Sequence, residues 1–225
     1  MPARRVPLVT DQYYHVFNRG INRQPIFLGF KEYRRAFDLL DFYSFATVKL
    51  RFSKFLLLTK GERIAIFDKL RKENNKLVDI IAFCLMPNHF HFLLQQKQDN
   101  GISKYMAIFQ NSYTRYFNTK YNKIGPILQG QCKAVRVEDD EQFVHLTRYV
   151  HLNPYTSYVV KDKGDLETYP WSSFPEYIGK VSTDVCKKDI IVERFKDTVS
   201  YKTFVFDQAD YQRELDRIRH LTLEE

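Results

Sequence analysis

The sequence predicts an α+β fold, a ferredoxin-like sandwich in which helices cover an antiparallel sheet. Three observations point to it. Strand-like and helix-like segments alternate in the order β-α-β-β-α-β-α, with a further helical stretch inserted after the first helix. Two strand-length runs, Leu77 to Met86 and His89 to Gln95, are separated only by the turn signal Pro87-Asn88 and form a hairpin. Between that hairpin and the last strand lies a long amphipathic helix, Gly101 to Tyr121.

Each element has its own signal. Tyr13 to Asn18 reads as a strand ended by Arg19-Gly20, and Tyr33, Phe37, Leu40 and Ser44 fall near helical spacing between Lys31 and Phe45. Ile64, Phe67 and Leu70 mark a helix in the insertion, residues 47–76, which ends in a polar Lys-Glu-Asn-Asn-Lys run. The Ile, Phe and Leu content of Leu77 to Met86 marks a buried strand, and His89 to Gln95 alternates as its partner. Ser103 is the expected N-cap of the long helix, which carries Tyr105, Ile108, Phe109, Tyr113, Tyr116 and Phe117. Cys132 to Val137 is the last strand. Asp139-Asp140-Glu141 then opens a helix with charge that suits the positive end of its dipole. That helix is expected to stop near Leu152, because Pro154 biases Asn153 away from helical geometry. The domain spans residues 10–178; residues 179–225 form a charged tail with a helix expected over Asp207 to His220.

Composition narrows the function. The 225 residues hold 35 Lys+Arg against 27 Asp+Glu, a net charge of +8, with 44% hydrophobic and 16% aromatic residues. This excludes whole-chain disorder and permits a nucleic-acid partner without requiring one. The longest apolar run, Ile80 to Met86, is strand-sized, so no membrane span is expected. The basic start, Met1 to Arg5, leads to no apolar signal core, and a cytoplasmic protein is expected. Cys84, Cys132 and Cys186 lie far apart with no CxxC pair, which fits neither a disulfide framework nor a zinc ribbon; Cys84 reads as a small buried hydrophobe.

Three constellations could carry chemistry. His89-Phe90-His91 on a strand project both imidazoles to one face, as two ligands of a divalent metal require, although an HxH pair also arises by chance. Tyr149 and Asn153, four apart on a helix, share a face with His145 one turn earlier. A tyrosine hydroxyl beside a metal-bound phosphate is a nucleophile, and an amide one turn on can add an oxygen ligand; the plain alternative is a core-edge tyrosine followed by a capping asparagine. Arg19, Arg23, Arg115, Lys133 and Arg136 are among the cations interleaved with aromatics that could hold a phosphate backbone. His15 reads as structural, His151 as a surface or supporting residue, and Trp171 as the anchor of a returning segment.

Taken together these motifs resemble the REP-associated tyrosine transposases, within the insertion-sequence-200-like superfamily of single-tyrosine HUH transposases. The resemblance rests on five ordered segments over about residues 10–178. These are Tyr14 to Gly20 with Asn22 to Phe27, Leu85 to Leu94, Tyr113 to Asn118, Arg148 to Pro154, and Tyr169 to Ser173. It implies His89 and His91 as metal ligands, Asn153 as the third, amide ligand, and Tyr149 as nucleophile. It implies a bound Mg²⁺ or Mn²⁺, a single-stranded or hairpin DNA substrate, and cleavage and rejoining through a 5′-phosphotyrosine in the bacterial cytoplasm or nucleoid. Whether the active unit is a monomer or a homodimer stays open. Tyr113 and Tyr116 rival Tyr149 by position but lack an amide four residues on. Gln131 stands where the family places an arginine, and the insertion is longer than a compact member needs. Two other readings fit the same residues: a non-catalytic nucleic-acid-binding module, and a metal-dependent nuclease in which water attacks.

Overall fold

The computed structural model describes residues 7–214. Its sheet has four antiparallel strands in the order β2-β3-β1-β4: β1 Tyr13–Arg19, β2 Val78–Met86, β3 His89–Gln96 and β4 Lys133–Arg136. Helices α1 (Phe30–Phe42) and α4 (Gly101–Tyr121) cover one face. The ferredoxin-like α+β architecture is therefore the observed one. The other face is also covered, by α5 (Asp140–Thr156) and segments beyond it.

Strand periodicity divides the residues between the two faces. Tyr14 and Val16 of β1 and Phe90, Phe92 and Leu94 of β3 meet Phe109, Tyr105 and Leu40 on the α1/α4 side. Phe109 packs edge-on against Phe90 and Phe92, with ring centroids 5.6 and 5.4 Å away. Each such ring contributes about 1.5–3 kcal/mol relative to exposure. On β2 a register shift between Ile80 and Ala82 turns Ile81 and Ala82 together toward α5. The free edge of β2 is covered by the returning segment: Trp171 O accepts from Leu85 N–H, and Ser173 N–H donates to Phe83 O. Trp171 anchors this segment by stacking on Tyr33, centroids 5.0 Å apart.

The insertion forms a short helix α2 (Phe52–Phe55) and α3 (Lys60–Glu73), which starts with a Thr59–Glu62 capping box. Phe52 and Phe55 bury against Phe42, while α3 keeps only Leu70 buried.

Two departures from the sequence expectation, at the ends of α4 and α5, have clear physical causes. Helix α4 begins at Gly101 with Asn100, not Ser103, as its N-cap. A Cβ at position 101 would lie 2.2 Å from the Leu77 carbonyl, so the close approach of the α4 start to β2 selects glycine and fixes the start there. Helix α5 runs through Pro154 to Thr156 rather than ending near Leu152. Proline lacks the N–H that would bond the carbonyl four residues back, and its ring crowds that carbonyl. The chain resumes with Ser157 N–H on Asn153 O, and Tyr155 and Thr156 are buried. Burial of that last turn outweighs the local bias, and it keeps Asn153 in helical register with Tyr149.

Segments within residues 174–209 pack onto α5. Helices α6 (Phe174–Tyr177), α7 (Asp189–Val192) and α8 (Thr198–Phe206) bring Phe174, Ile191, Tyr201 and Val205 into the second core. Residues 209–214 are helical, and the remainder of the helix expected over Asp207 to His220 lies outside the described residues. His151 is fully buried rather than at the surface, and it ties these segments together. Its Nδ1 lies 2.7 Å from the Tyr201 hydroxyl, and its Nε2 lies 2.7 Å from Ser173 Oγ. Among the described residues no helix is long and apolar enough to cross a membrane.

Tyr201→Phe removes one partner of a buried imidazole and should cost about 1–3 kcal/mol in denaturant unfolding; no loss would mean that α8 does not brace α5. Burial among Ser173, Tyr177 and Tyr201 also holds His151 neutral, with its pKa pulled down to about 3. Between an unfolded value near 6.5 and that folded value, only the unfolded chain takes up the proton. Stability should therefore fall as pH drops below about 6.5, by at most about 1.4 kcal/mol per pH unit from this group. Unfolding of wild type and His151→Gln at pH 7.5 and 5.0 checks this: the variant should lose less on acidification.

Candidate active site

The face of the sheet toward α5 carries three imidazoles. His15 and Phe17 of β1 share it with His89, His91 and Leu93 of β3, because Phe17 pairs with His91 and His15 with Leu93. His15 and His91 are stacked, with centroids 5.1 Å apart and planes 19° from parallel, and His15 Nε2 lies 2.9 Å from His91 Nδ1. The His89 and His91 rings are perpendicular, 5.0 Å apart.

Helix α5 supplies the other half. The Tyr149 ring stands edge-on to the stacked pair, 5.5 Å from His91 and 5.8 Å from His15. One turn on, the Asn153 side-chain amide donates to the Tyr149 carbonyl at 3.1 Å. The Asn153 side chain also faces the His89 imidazole, near enough to act on its pKa. Asp139 caps the helix start by accepting from Gln142 N–H at 2.7 Å, and Phe143 and Val150 bury its apolar stripe. Tyr149 and Asn153 therefore sit on a helix braced at both ends.

His89 has a defined ring orientation. Asn88 Nδ2 donates to the Arg23 carbonyl at 3.0 Å, which turns Asn88 Oδ1 toward His89 Nδ1, 2.6 Å away. An amide oxygen only accepts, so His89 Nδ1 carries the proton and its Nε2 keeps a lone pair. Burial pulls the His89 pKa down to about 4, helped by the Arg19 charge, against the Asn153 side chain, which raises it. Burial pulls His15 to about 4 as well. His91 is held well below its ordinary value by burial, then by the charges of His89, His15 and Arg19. All three imidazoles are neutral at pH 7, the form that ligates metals.

Two neutral imidazoles and an amide converge here, and among the described residues no three His, Cys, Asp or Glu side chains are grouped as a full metal cage. Such a donor set suits a divalent cation whose remaining positions go to phosphate oxygens or water. The expected residues His89, His91, Tyr149 and Asn153 are brought together. His145 is not among them: it meets Arg148 and the Phe204 ring instead. Tyr113 and Tyr116 lie on α4, across the sheet, where Tyr113 donates to the Ile26 carbonyl and Tyr116 to Glu32.

The cations divide in the same way. Arg19 pairs across the strands with His89, and Lys133 pairs with Phe17, its Nζ 5.9 Å from that ring. Arg23 is next to the site through its carbonyl. Arg136 pairs with Tyr14, is directed to the opposite face and donates to Gln12 Oε1. Arg115, on α4, is also on that side. Sequence reasoning missed two site residues. His15 was visible only as an alternate position on β1, and its partner follows from the β1–β3 register. Asn88 read as turn punctuation. Replacing Asn88 by Ala should leave His89 in a mixture of ring tautomers, where the wild type should show Nδ1–H alone in imidazole ¹⁵N spectra; one unchanged tautomer would mean Asn88 does not orient it.

Comparison with known proteins gives two matches. Residues 59–153 fit the family model for transposases described as IS200 like, a stretch that contains His89, His91, Tyr149 and Asn153 but not β1. Among solved structures, a REP-associated tyrosine transposase bound to a REP hairpin matches 83% of this chain and 94% of its own, with a TM-score of 0.55 and 14% sequence identity. No curated protein matches the chain. Over residues 59–153 the chain is similar to the IS200-like transposases, and its fold is that of a REP-associated tyrosine transposase.

Proposed function

We propose that this protein is a transposase that cleaves and rejoins single-stranded DNA at hairpin-bearing sites through a 5′-phosphotyrosine on Tyr149. The observation that carries this reading is the convergence of Tyr149 and Asn153, from one face of α5, on His89 and His91 of β3. The family match over residues 59–153 and the fold shared with a protein bound to a REP hairpin support it.

In this reading His89, His91 and the Asn153 amide oxygen hold Mg²⁺ or Mn²⁺, which withdraws charge from the scissile phosphate when bound. Tyr149 forms the Oη–P bond as the P–O3′ bond breaks. The phenol gives up one proton and the departing 3′-oxygen gains one, so the step is balanced and needs no external energy source. The free 3′-hydroxyl, or that of another strand, reverses it. The perpendicular contacts of Tyr149 with two rings limit where its hydroxyl can swing, which supplies the positioning such a step needs. Arg19, Arg23 and Lys133, near the cleft, are proposed to hold the strand being cut. Arg115 and Arg136, toward the other face, are proposed as contacts for DNA outside the cleavage point.

Labelled hairpin DNA mixed with protein and Mn²⁺, then run on a denaturing gel, tests this. Wild type should retain label and Tyr149→Phe should not, while both bind the hairpin alike. Cleavage without retained label would favour attack by water, and binding without cleavage a non-catalytic module. His89→Ala should weaken Mn²⁺ binding by about 10-fold or more while unfolding like wild type; unchanged binding would remove His89 from the metal site.

A further inference from the structure

We infer that His15, on β1 and outside the family-matched segment, is a positioning residue that fixes the ring tautomer of His91 for metal ligation; this rests on the reading of His91 as a ligand. An imidazole can offer a lone pair to a cation from one nitrogen only when its proton is on the other. His91 Nδ1 is taken up by His15 Nε2 at 2.9 Å, so Nε2 is the nitrogen left for a ligand. That requires Nδ1 to carry the proton and to donate it, and His15 Nε2 to be the acceptor, with the His15 proton on its Nδ1. The reverse arrangement, His15 Nε2–H donating to His91, would place the His91 proton on Nε2 and block it.

Asn88 performs the same task for His89, with its amide fixed by the Arg23 carbonyl. The two histidines thus have two orienting groups from two different segments, one an amide oxygen and the other an imidazole. Ligating histidines commonly hold their second nitrogen in this way, and losing the partner lowers metal affinity about 10–100-fold. The stacked geometry, planes 19° from parallel, also sets His15 beside the Tyr149 ring, so one residue orients the His91 ring and bounds the nucleophile.

Imidazole ¹⁵N spectra of the Mg²⁺-loaded protein test the tautomer. Protonated Nδ1 with unprotonated Nε2 on both His91 and His15 is the expected result; a proton on His91 Nε2 overturns the inference. Mn²⁺ titrations provide the second readout. His15→Phe keeps an aromatic ring but no acceptor and should lose affinity by about 10-fold or more, whereas His15→Gln restores an acceptor near the Nε2 position and should stay within about threefold of wild type. Equal affinity of His15→Phe and wild type also overturns it. His89→Ala separates the two failures: if that variant binds Mn²⁺ like wild type, the metal reading itself is wrong, and the spectra alone then decide the role of His15.

Discussion

The register of β1 against β3 is the constraint on which the site depends. Because side chains alternate along a strand, pairing Phe17 with His91 and Arg19 with His89 puts His15, His89 and His91 on one face together. A slip of one residue would turn His15 into the packed core under α1 and α4, where Val16 and Tyr14 now lie. The register is in turn held by that core. Val16, Phe90, Phe92 and Leu94 are buried on the far side, so a one-residue slip of β1 would take Val16 out of that core and put an imidazole in its place. The chemistry on one face is thus specified by hydrophobic packing on the other.

The second requirement is a helix laid across that face at the right depth. Helix α5 meets it because its apolar stripe packs on β2, leaving Tyr149 and Asn153 over β3 and β1. The last turn survives Pro154 because Tyr155 and Thr156 are buried and because His151, bound to both Ser173 and Tyr201, ties the helix to segments on either side. Those segments also shield the β2 edge and close the second core. Residues beyond 178 therefore support the position of the tyrosine helix through His151 and Tyr201, on the side of α5 away from His15, His89 and His91.

Much of this was legible in the sequence, for identifiable reasons. The hairpin around Pro87-Asn88, the helix from Gly101 and the HxH pair depend on local periodicity, which a single chain displays. So did the i, i+4 relation of Tyr149 and Asn153. What the sequence concealed depends on tertiary context. The rescue of the α5 end past Pro154 came from burial, and the N-cap of α4 at Asn100 rather than Ser103 goes with the close approach of Gly101 to the Leu77 carbonyl. His15, Asn88 and the buried His151 bond to residues distant in sequence or to a turn that reads as mere punctuation. The proposed cations behaved similarly: Arg136 and Lys133 are near neighbours on one strand, yet they point to opposite faces of the sheet.

Tyr149, held over the imidazoles, is the proposed nucleophile. Peptide mapping by mass spectrometry after reaction with a short hairpin oligonucleotide and Mn²⁺ tests it most directly. Cleavage after Arg148 and Lys161 releases a peptide that begins at Tyr149 and also contains Tyr155 and Tyr158. The expected product is a nucleotide adduct whose fragmentation places it on Tyr149 alone. An adduct on Tyr155, Tyr158, Tyr113 or Tyr116, or DNA cut with every tyrosine unmodified, would contradict it.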